Sequence, residues 1–291
     1  MPATLLTDTS PDALAAAVKA NLNALNRYLG RSPYTEVDEA PGYYRWRTAI
    51  RHPYFNGVIV SSPPDAAAGE RIRGAAAYFL SKGVDAATWW LDPAVPVESW
   101  APVLTEHGLT LDSQLPGMAM ALEELADEPA GVAPVLSGVV AKRTPMDIDI
   151  KRVEGSATLR TWAETFVAGY GLPRDRAVPF FTLYDSLQGE EAPLRSYMAY
   201  RAGVPVATSS VFYAEGVAGI YDVSTLPAAR GHGIGAAITL APLLEARTSG
   251  YRVGILQSSS MGLRIYERLG FRAVCQVEHF VWKADGRPPS E

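Results

Sequence analysis

A mixed α/β chain built from two successive halves is the fold class that the sequence predicts, on three observations. Apolar residues alternate over MDIDIKRV (Met146–Val153) and take helical spacing from Ser156 onward. The second half then orders itself as βααβββαβαββ. The first half gives a weaker echo of that order. The chain has 291 residues, 48 % hydrophobic and 20 % charged, which is a globular composition long enough to bury a sizeable core without a disulfide or metal staple.

In the second half the helix from Ser156 stops near Gly171, and Pro179–Leu187 reads as another helix. Three strands follow, turning at Ala202-Gly203 and Glu215-Gly216. A glycine-rich turn at Arg230–Gly235 opens a helix to about Arg247, which Pro242 is expected to bend. A strand (Tyr251–Gln257), a short helix (Gly262–Leu269) and a final pair of strands between Phe271 and Trp282 complete the half. In the first half the elements are helix Asp12–Tyr28, strand Asn56–Ser62, helix Glu70–Leu80, strand Asp85–Leu91, helix Val97–His107 and a strand through Gly117–Leu122. The tails of the halves align, GVDAATWWL against GYRVGILQS and VLTEHGL against YERLGF. Gly108 then matches Gly270, and Leu104 falls where Tyr266 stands. Domains are therefore expected at 1–125 and 145–285, with a linker at 126–144 and a tail at 286–291.

Composition excludes several function classes. Cys275 is the only cysteine, so neither an intrachain disulfide nor a cysteine zinc site can form, and no metal site is expected. The net charge is −5, with −7 on residues 1–140 and +2 on 141–291, which disfavours a general DNA binder. No signal peptide is visible, and the apolar runs at 131–141 and 236–244 are too short to cross a membrane. A cytoplasmic location is the expectation.

The chemistry concentrates in TLPAARGHGIG (Thr225–Gly235), after a strand and before a helix. Amides of such a turn converge, the next helix adds its positive end, and glycines let an anion approach: a phosphate site. Gly231, Gly233 and Ala236 formally satisfy a dinucleotide pattern, but the next strand ends LQSSS, without the carboxylate that a ribose needs. Downstream comes SSSMGLRIYERLGF before the last strands.

This succession resembles the GNAT superfamily of acyl-CoA N-acyltransferases. Arg230, Gly233 and Gly235 meet its Arg/Gln-x-x-Gly-x-Gly/Ala loop, and Ile265–Phe271 meets its LYEKLGF-like segment. The likeness covers about 146–283. The whole chain is similar to bacterial tandem members with a degenerate first half, since Ala68–Phe79 retains no such loop. The resemblance implies two tandem GNAT-like domains of mixed α+β sheet, with the cofactor site in the second. It implies acetyl-CoA or another acyl-CoA as co-substrate and a small-molecule amine as acceptor. Amides of Gly231, His232, Gly233, Ile234, Gly235 and Ala236 would hold the pyrophosphate. The Val223 N–H would polarise the acyl carbonyl, and Thr225 would pair with the pantetheine arm.

Tyr266 is the implied general acid, since a phenol stays protonated at neutral pH and can donate to a departing thiolate; packing beside Leu263 and Leu269 is its alternative. Ser259 stands where the family has a CoA-contacting Asn. For the general base, strand alternation puts Tyr221 on the face of Val223, whereas Asp222 comes into play only if a β-bulge shifts the count. His279 is a further candidate on the substrate side. Phe180, Phe181 and Tyr184 fall where an acceptor pocket is built. PGYYRWRTAIRHPYFNG (Pro41–Gly57) offers Tyr43, Tyr44, Arg45, Trp46, Arg47, His52 and Asn56 either as cleft lining or as a core helix with solvated arginines; Trp89 and Trp90 read as core. Two alternative functions stay open: a tandem transferase drawing its acyl group from aminoacyl-tRNA, and a non-catalytic CoA sensor.

Overall fold

The computed structural model of the protein describes residues 4–125 and 148–285; the expected linker at 126–144 and the tail at 286–291 lie outside them. The chain divides into two contact-dense units. The larger joins the chain through Asn21 to Pro116–Cys275, and the smaller joins Leu22–Leu115 to the chain from Gln276 on. The division passes through the first helix and through one strand of each half.

In chain order the first half has α1 (Pro11–Leu29), β1 (Glu36–Ala40), β2 (Tyr43–Arg47), β3 (Asn56–Val60), α2 (Ala68–Ser81), β4 (Ala86–Leu91), α3 (Val97–Glu106) and β5 (Thr110–Ala121). The second half has β6 (Ile148–Arg152), α4 (Gly155–Gly169), α5 (Ala177–Asp185), β7 (Leu194–Arg201), β8 (Val204–Ala214), β9 (Val217–Thr225), α6 (Ile234–Thr248), β10 (Val253–Gln257), α7 (Leu263–Arg268) and β11 (Arg272–Lys283). The succession matches the sequence reading except that β1 is absent from it, and two elements need correction. The residues from Phe271 to Trp282 form one long strand instead of a pair. Residues 43–47 are β2, not a helix, because Tyr44 and Trp46 alternate with Tyr43, Arg45 and Arg47 at period two.

In the larger unit the strand order is β6-β7-β8-β9-β10-β5. Only the β9–β10 step is parallel, the others antiparallel. In the smaller unit the order is β1-β2-β3-β4-β11, parallel only between β3 and β4. Each sheet thus takes its last strand from the other half of the chain. The likeness between the halves extends to the end of one helix in each. Gly108 and Gly270 both end helices at positive φ, where only glycine is unstrained. Past them Leu109 N donates to Leu104 O, and Phe271 N to Tyr266 O, each at 3.0 Å.

α6 is the central helix of the larger unit. Eleven of its fifteen residues are buried, so it is apolar on all sides. Pro242 stands in its interior and supplies no amide to the Ile238 carbonyl one turn back. That carbonyl is satisfied from the sheet: the buried Ser209 hydroxyl on β8 donates to it at 2.8 Å. The proline and the serine therefore form one device that seats α6 on β8.

Replacing Ser209 by Ala strands a buried carbonyl, and chemical denaturation should register a loss of about 1–3 kcal/mol. In a Pro242→Ala background the restored amide serves Ile238, so the same Ser209→Ala change should cost clearly less. Equal costs in the two backgrounds would refute the coupling.

Candidate active site

The site is assembled where two parallel strands part. β9 and β10 pair from Ala218–Gly254 to Ile220–Leu256 and no further. Beyond Ile220, β9 has no β10 partner and runs on to Thr225, and the chain then turns into the glycine loop and α6. Gly231 and Gly233 have φ of 78° and 75°. A Cβ at either would meet nothing within 4 Å, so backbone handedness alone demands glycine there. Gly233 is the N-cap of α6, offers no side-chain cap, and is followed by no acid in the first turn. The amides of Ile234, Gly235 and Ala236 belong to the first helical turn, where no intrahelical acceptor exists. Gly235 is helical, and its Cβ would make only an ordinary contact, 3.6 Å to Thr225 Oγ1. Nothing within the fold requires glycine there; an anion close to the helix end would.

Arg230, the first residue of the loop motif, bonds to the backbone on both sides of it. Its Nε donates to Thr225 O at 3.1 Å and its Nη2 to Gly169 O at 2.7 Å, so it ties the loop to β9 and to the end of α4. His232 is exposed on the loop. Ser259 caps the turn before α7: its hydroxyl accepts from Gly262 N, and its carbonyl from Gly262 N and Leu263 N.

The corresponding loop of the smaller unit cannot do the same work. Before α2, Asp65 accepts from Ala67 N at 2.9 Å and pairs with Arg71 at 2.8 Å, placing a carboxylate at that helix end. Gly69 lies so close to the His107 imidazole that no side chain fits. Trp100, from α3, donates to Ser62 O just past β3 at 2.8 Å. Leu104, buried in the core, stands in the place of Tyr266.

β9 carries a bulge. Thr208 pairs with Ser224 and Ser210 with Tyr221, so Asp222 and Val223 together face Ser209. Asp222 takes the extra position at φ 54°. Its Oδ2 accepts from the Tyr184 hydroxyl of α5 at 2.9 Å, and its carbonyl accepts from Thr208 Oγ1. Burial raises its pKa to about 6, with hydrogen bonds from Ser210 and Tyr184 acting in the opposite sense. The Ser210 hydroxyl in turn meets that of Ser196 at 3.1 Å. Tyr221 donates to Asn21 Oδ1 of α1 at 2.7 Å, and burial raises its pKa so that it stays a neutral phenol. Gly219 below it leaves room for the Asn21 amide. The Val223 carbonyl accepts from Tyr170 Oη at 3.4 Å.

Tyr266, on α7, is half-buried against the larger core, edge-on to Phe271 with ring centroids 6.0 Å apart. Burial pushes its pKa up to about 12, offset in part by the Thr239 hydroxyl. Its ring lies over Gly262, where a Cβ would stand 2.6 Å from the ring edge.

Of the acceptor-side candidates, Phe180 and Tyr184 are buried, and Trp162, Phe166 and Tyr184 stack into one aromatic group. Phe181 instead lines a separate open cavity of about 370 Å³ with Arg160, Glu164, Arg174 and Asp175. In the smaller unit, Arg45 and Arg47 pair with Asp38 and Glu36 of β1, and Tyr44 and Trp46 are core. Tyr43 packs against that unit's core. Asn56 staples its own loop through Thr48 N, Ile50 O and His52 O, while His52 accepts from Tyr54 N. His279 is fully buried, 2.9 Å from Tyr54 Oη and 3.4 Å from Asp112; burial lowers its pKa and Asp112 opposes the change. Among the described residues no group of three or more His, Cys, Asp or Glu side chains could hold a metal ion, and no helix is long and apolar enough to cross a membrane.

Sequence reasoning missed Asn21 and took Tyr184 only as pocket lining. An Asn at the apolar spacing of α1, facing a glycine in a strand, is a signal in retrospect.

Residues 158–271 match the model of the acetyltransferase (GNAT) family, and this segment is a GNAT acetyltransferase domain. The chain as a whole has the fold of tandem GNAT proteins. It is similar to a GCN5-related N-acetyltransferase from Kribbella flavida (20 % identity, 91 % of this chain and 95 % of that one, TM-score 0.61). One from Sphaerobacter thermophilus is 15 % identical over 99 % of both chains, with TM-score 0.57. A tandem GNAT protein from the clavulanic acid biosynthesis pathway is 14 % identical over 99 % of this chain and 98 % of that one, with TM-score 0.51. No curated protein matches the sequence.

Because the Asp222 carboxyl keeps its proton to about pH 6 when folded and to about 3.8 when unfolded, folding takes up a proton between those values. Stability is then full below about pH 4 and falls as pH rises through 6. Asp222→Asn should therefore raise the melting temperature at pH 7.5, by the equivalent of at most about 3 kcal/mol, and leave it nearly unchanged at pH 4. A variant less stable than the parent at pH 7.5 would contradict this environment for the carboxyl.

Proposed function

We propose that this chain is an N-acyltransferase that passes an acetyl group from acetyl-CoA to the amine of a small molecule by direct attack. The observation that carries the reading is the open first turn of α6, with its left-handed glycines, beside the gap between β9 and β10. The diphosphate of CoA fits that turn in charge and in space: amide donors converge, no acid competes, and Gly235 leaves the helix end bare. Amides of residues 231–236 would hold it, with Arg230 keeping the loop in shape. Thr225 and the unpaired run of β9 would lie along the pantetheine arm. Bound acetyl-CoA supplies the activated acyl group.

Three needs of the reaction find groups in this chain. The Val223 amide, beside the bulge, polarises the acyl carbonyl. Asp222, ionised above pH 6, takes the proton of the attacking amine, and Tyr184 holds its carboxylate in place. Tyr266, a phenol with pKa near 12, is protonated throughout the neutral range and donates to the leaving thiolate. No cysteine is used, in keeping with the lone Cys275.

Thiol release from acetyl-CoA over a panel of amines tests the reading, with titration calorimetry of CoA beside it. Tyr266→Phe should lower kcat by about 10²–10⁴-fold with the CoA heat unchanged. The rate limb near pH 6 should disappear in Asp222→Asn. A folded protein that gives no heat with CoA would overturn the reading.

A further inference from the structure

The last turn of α4 is fastened to β9 just past the bulge. Gly169 lies so close to Ser224 that a Cβ there would fall onto the Ser224 hydroxyl. That hydroxyl donates to Phe166 O at 3.1 Å, and Arg230 Nη2 donates to Gly169 O at 2.7 Å. The helix then stops. Gly171 takes φ 69°, its amide donates to Ala168 O, and Leu172 N donates to Val167 O at 2.9 Å. Every carbonyl from Phe166 to Gly169 thus has a donor, and the backbone of Tyr170, the C-cap, is held from both sides.

Tyr170 is the side chain that this helix end delivers to β9. Its ring packs beside Phe166 with centroids 5.1 Å apart, and it is 59 % exposed, so its position is open to a ligand from solvent. Its hydroxyl donates to Val223 O at 3.4 Å. Hydroxyl donors ordinarily stand about 2.5–3.0 Å from their acceptors, so this bond is a weak one that a better acceptor can replace.

Backbone geometry puts that hydroxyl beside the Val223 amide. In the peptide between Asp222 and Val223 the carbonyl accepts from Thr208 Oγ1 of β8. A trans peptide sends its C=O and N–H in opposite directions, so the Val223 N–H leaves β9 on the edge away from β8. An extended residue carries its N–H and its C=O on one edge, and the Val223 carbonyl is the one that Tyr170 reaches. That edge is the one beside which the β10 pairing has ended.

A hydroxyl placed there meets whatever the Val223 amide binds. A carbonyl oxygen has two lone pairs, and one N–H donor serves only one of them. When an amine attacks the carbon, that oxygen takes up the electron pair of the C=O bond, and a second donor stabilises the charge further. We infer that Tyr170 is a catalytic residue of the acyl transfer: its hydroxyl moves from Val223 O to the acyl oxygen and, with the Val223 N–H, forms a two-donor oxyanion hole. This rests on the proposed acyl transfer and adds a group to it. Tyr170 donates a hydrogen bond and keeps its proton. The amine nitrogen bonds to the carbonyl carbon and gives its proton to Asp222. As the electron pair returns from oxygen, the C–S bond breaks and the thiolate takes the Tyr266 proton. Solvent then carries the proton from Asp222 to the Tyr266 phenolate, which restores both groups.

Infrared spectra of bound acetyl-CoA carrying carbon-13 at the carbonyl read that oxygen directly and need no amine. On the parent protein the carbonyl band should lie below its frequency in solution. In Tyr170→Phe it should return part of the way, with the calorimetric heat of CoA binding unchanged as the check on folding. With any amine that the parent acetylates, Tyr170→Phe should lower kcat by about 10²-fold and leave KM for acetyl-CoA within about threefold. A CoA-binding Tyr170→Phe whose band or kcat matches the parent's would overturn the assignment, since a role for the ring alone survives that change. A parent that binds acetyl-CoA with its carbonyl band at the solution position would also overturn it, and would leave the CoA site standing. Failure of the parent to bind CoA would remove the reading beneath it.

Discussion

The molecule is organised around a helix end left without partners. The first turn of α6 presents backbone amides that no side chain caps, and a buried helix can keep such an end only if a counter-anion or water satisfies it. The surrounding structure holds that end in place. Arg230 spends its guanidinium on two carbonyls, Thr225 O and Gly169 O, instead of reaching outward. Ser209 on β8 satisfies the carbonyl that Pro242 leaves free, which seats the helix from below. Left-handed glycines at 231 and 233 set the approach of the loop. Each of these features is hard to account for singly, and together they keep one dipole aimed at one point.

Chemistry beside that point carries a thermodynamic cost. Asp222 sits in a left-handed conformation and in surroundings that raise its pKa to about 6. Strain of this kind persists where the neighbours over-determine the backbone, and here the bulge against Ser209 and the bond from Thr208 do so. Ser196, Ser210 and Tyr221 stand opposite one another across three strands of that sheet. Sheet, bulge and covering helices together hold these groups beside the point where the β9–β10 pairing ends. The smaller unit shows what happens without that selection: Asp65 fills its helix end, Trp100 bonds over the end of β3, and Leu104 takes the place of the phenol.

Much of this was legible before any coordinates. The glycine loop, the element order of the second half and the match of Gly108 to Gly270 rest on local rules: positive φ, helix ends and strand alternation. The bulge was legible as a condition, since only a shift of one in the count on β9 would take Asp222 off the opposite face, and β9 carries that shift. What escaped depends on distance in sequence. Tyr221 meets Asn21 200 residues away, and Tyr184 meets Asp222 across 38; neither pairing leaves a local trace. β2 was obscured because YYRWR is aromatic at three of its five positions, so its period-two pattern is faint. The exchange of β5 and β11 between sheets is equally invisible, since a strand's pattern does not say which neighbours it joins.

A crystal structure with CoA bound is the most direct measurement of the central claim. The account predicts both phosphorus atoms of the diphosphate within hydrogen-bonding range of the amides of residues 231–236, with the sulfur end in the gap between β9 and β10. CoA found elsewhere on the molecule, with those amides facing solvent, would contradict it.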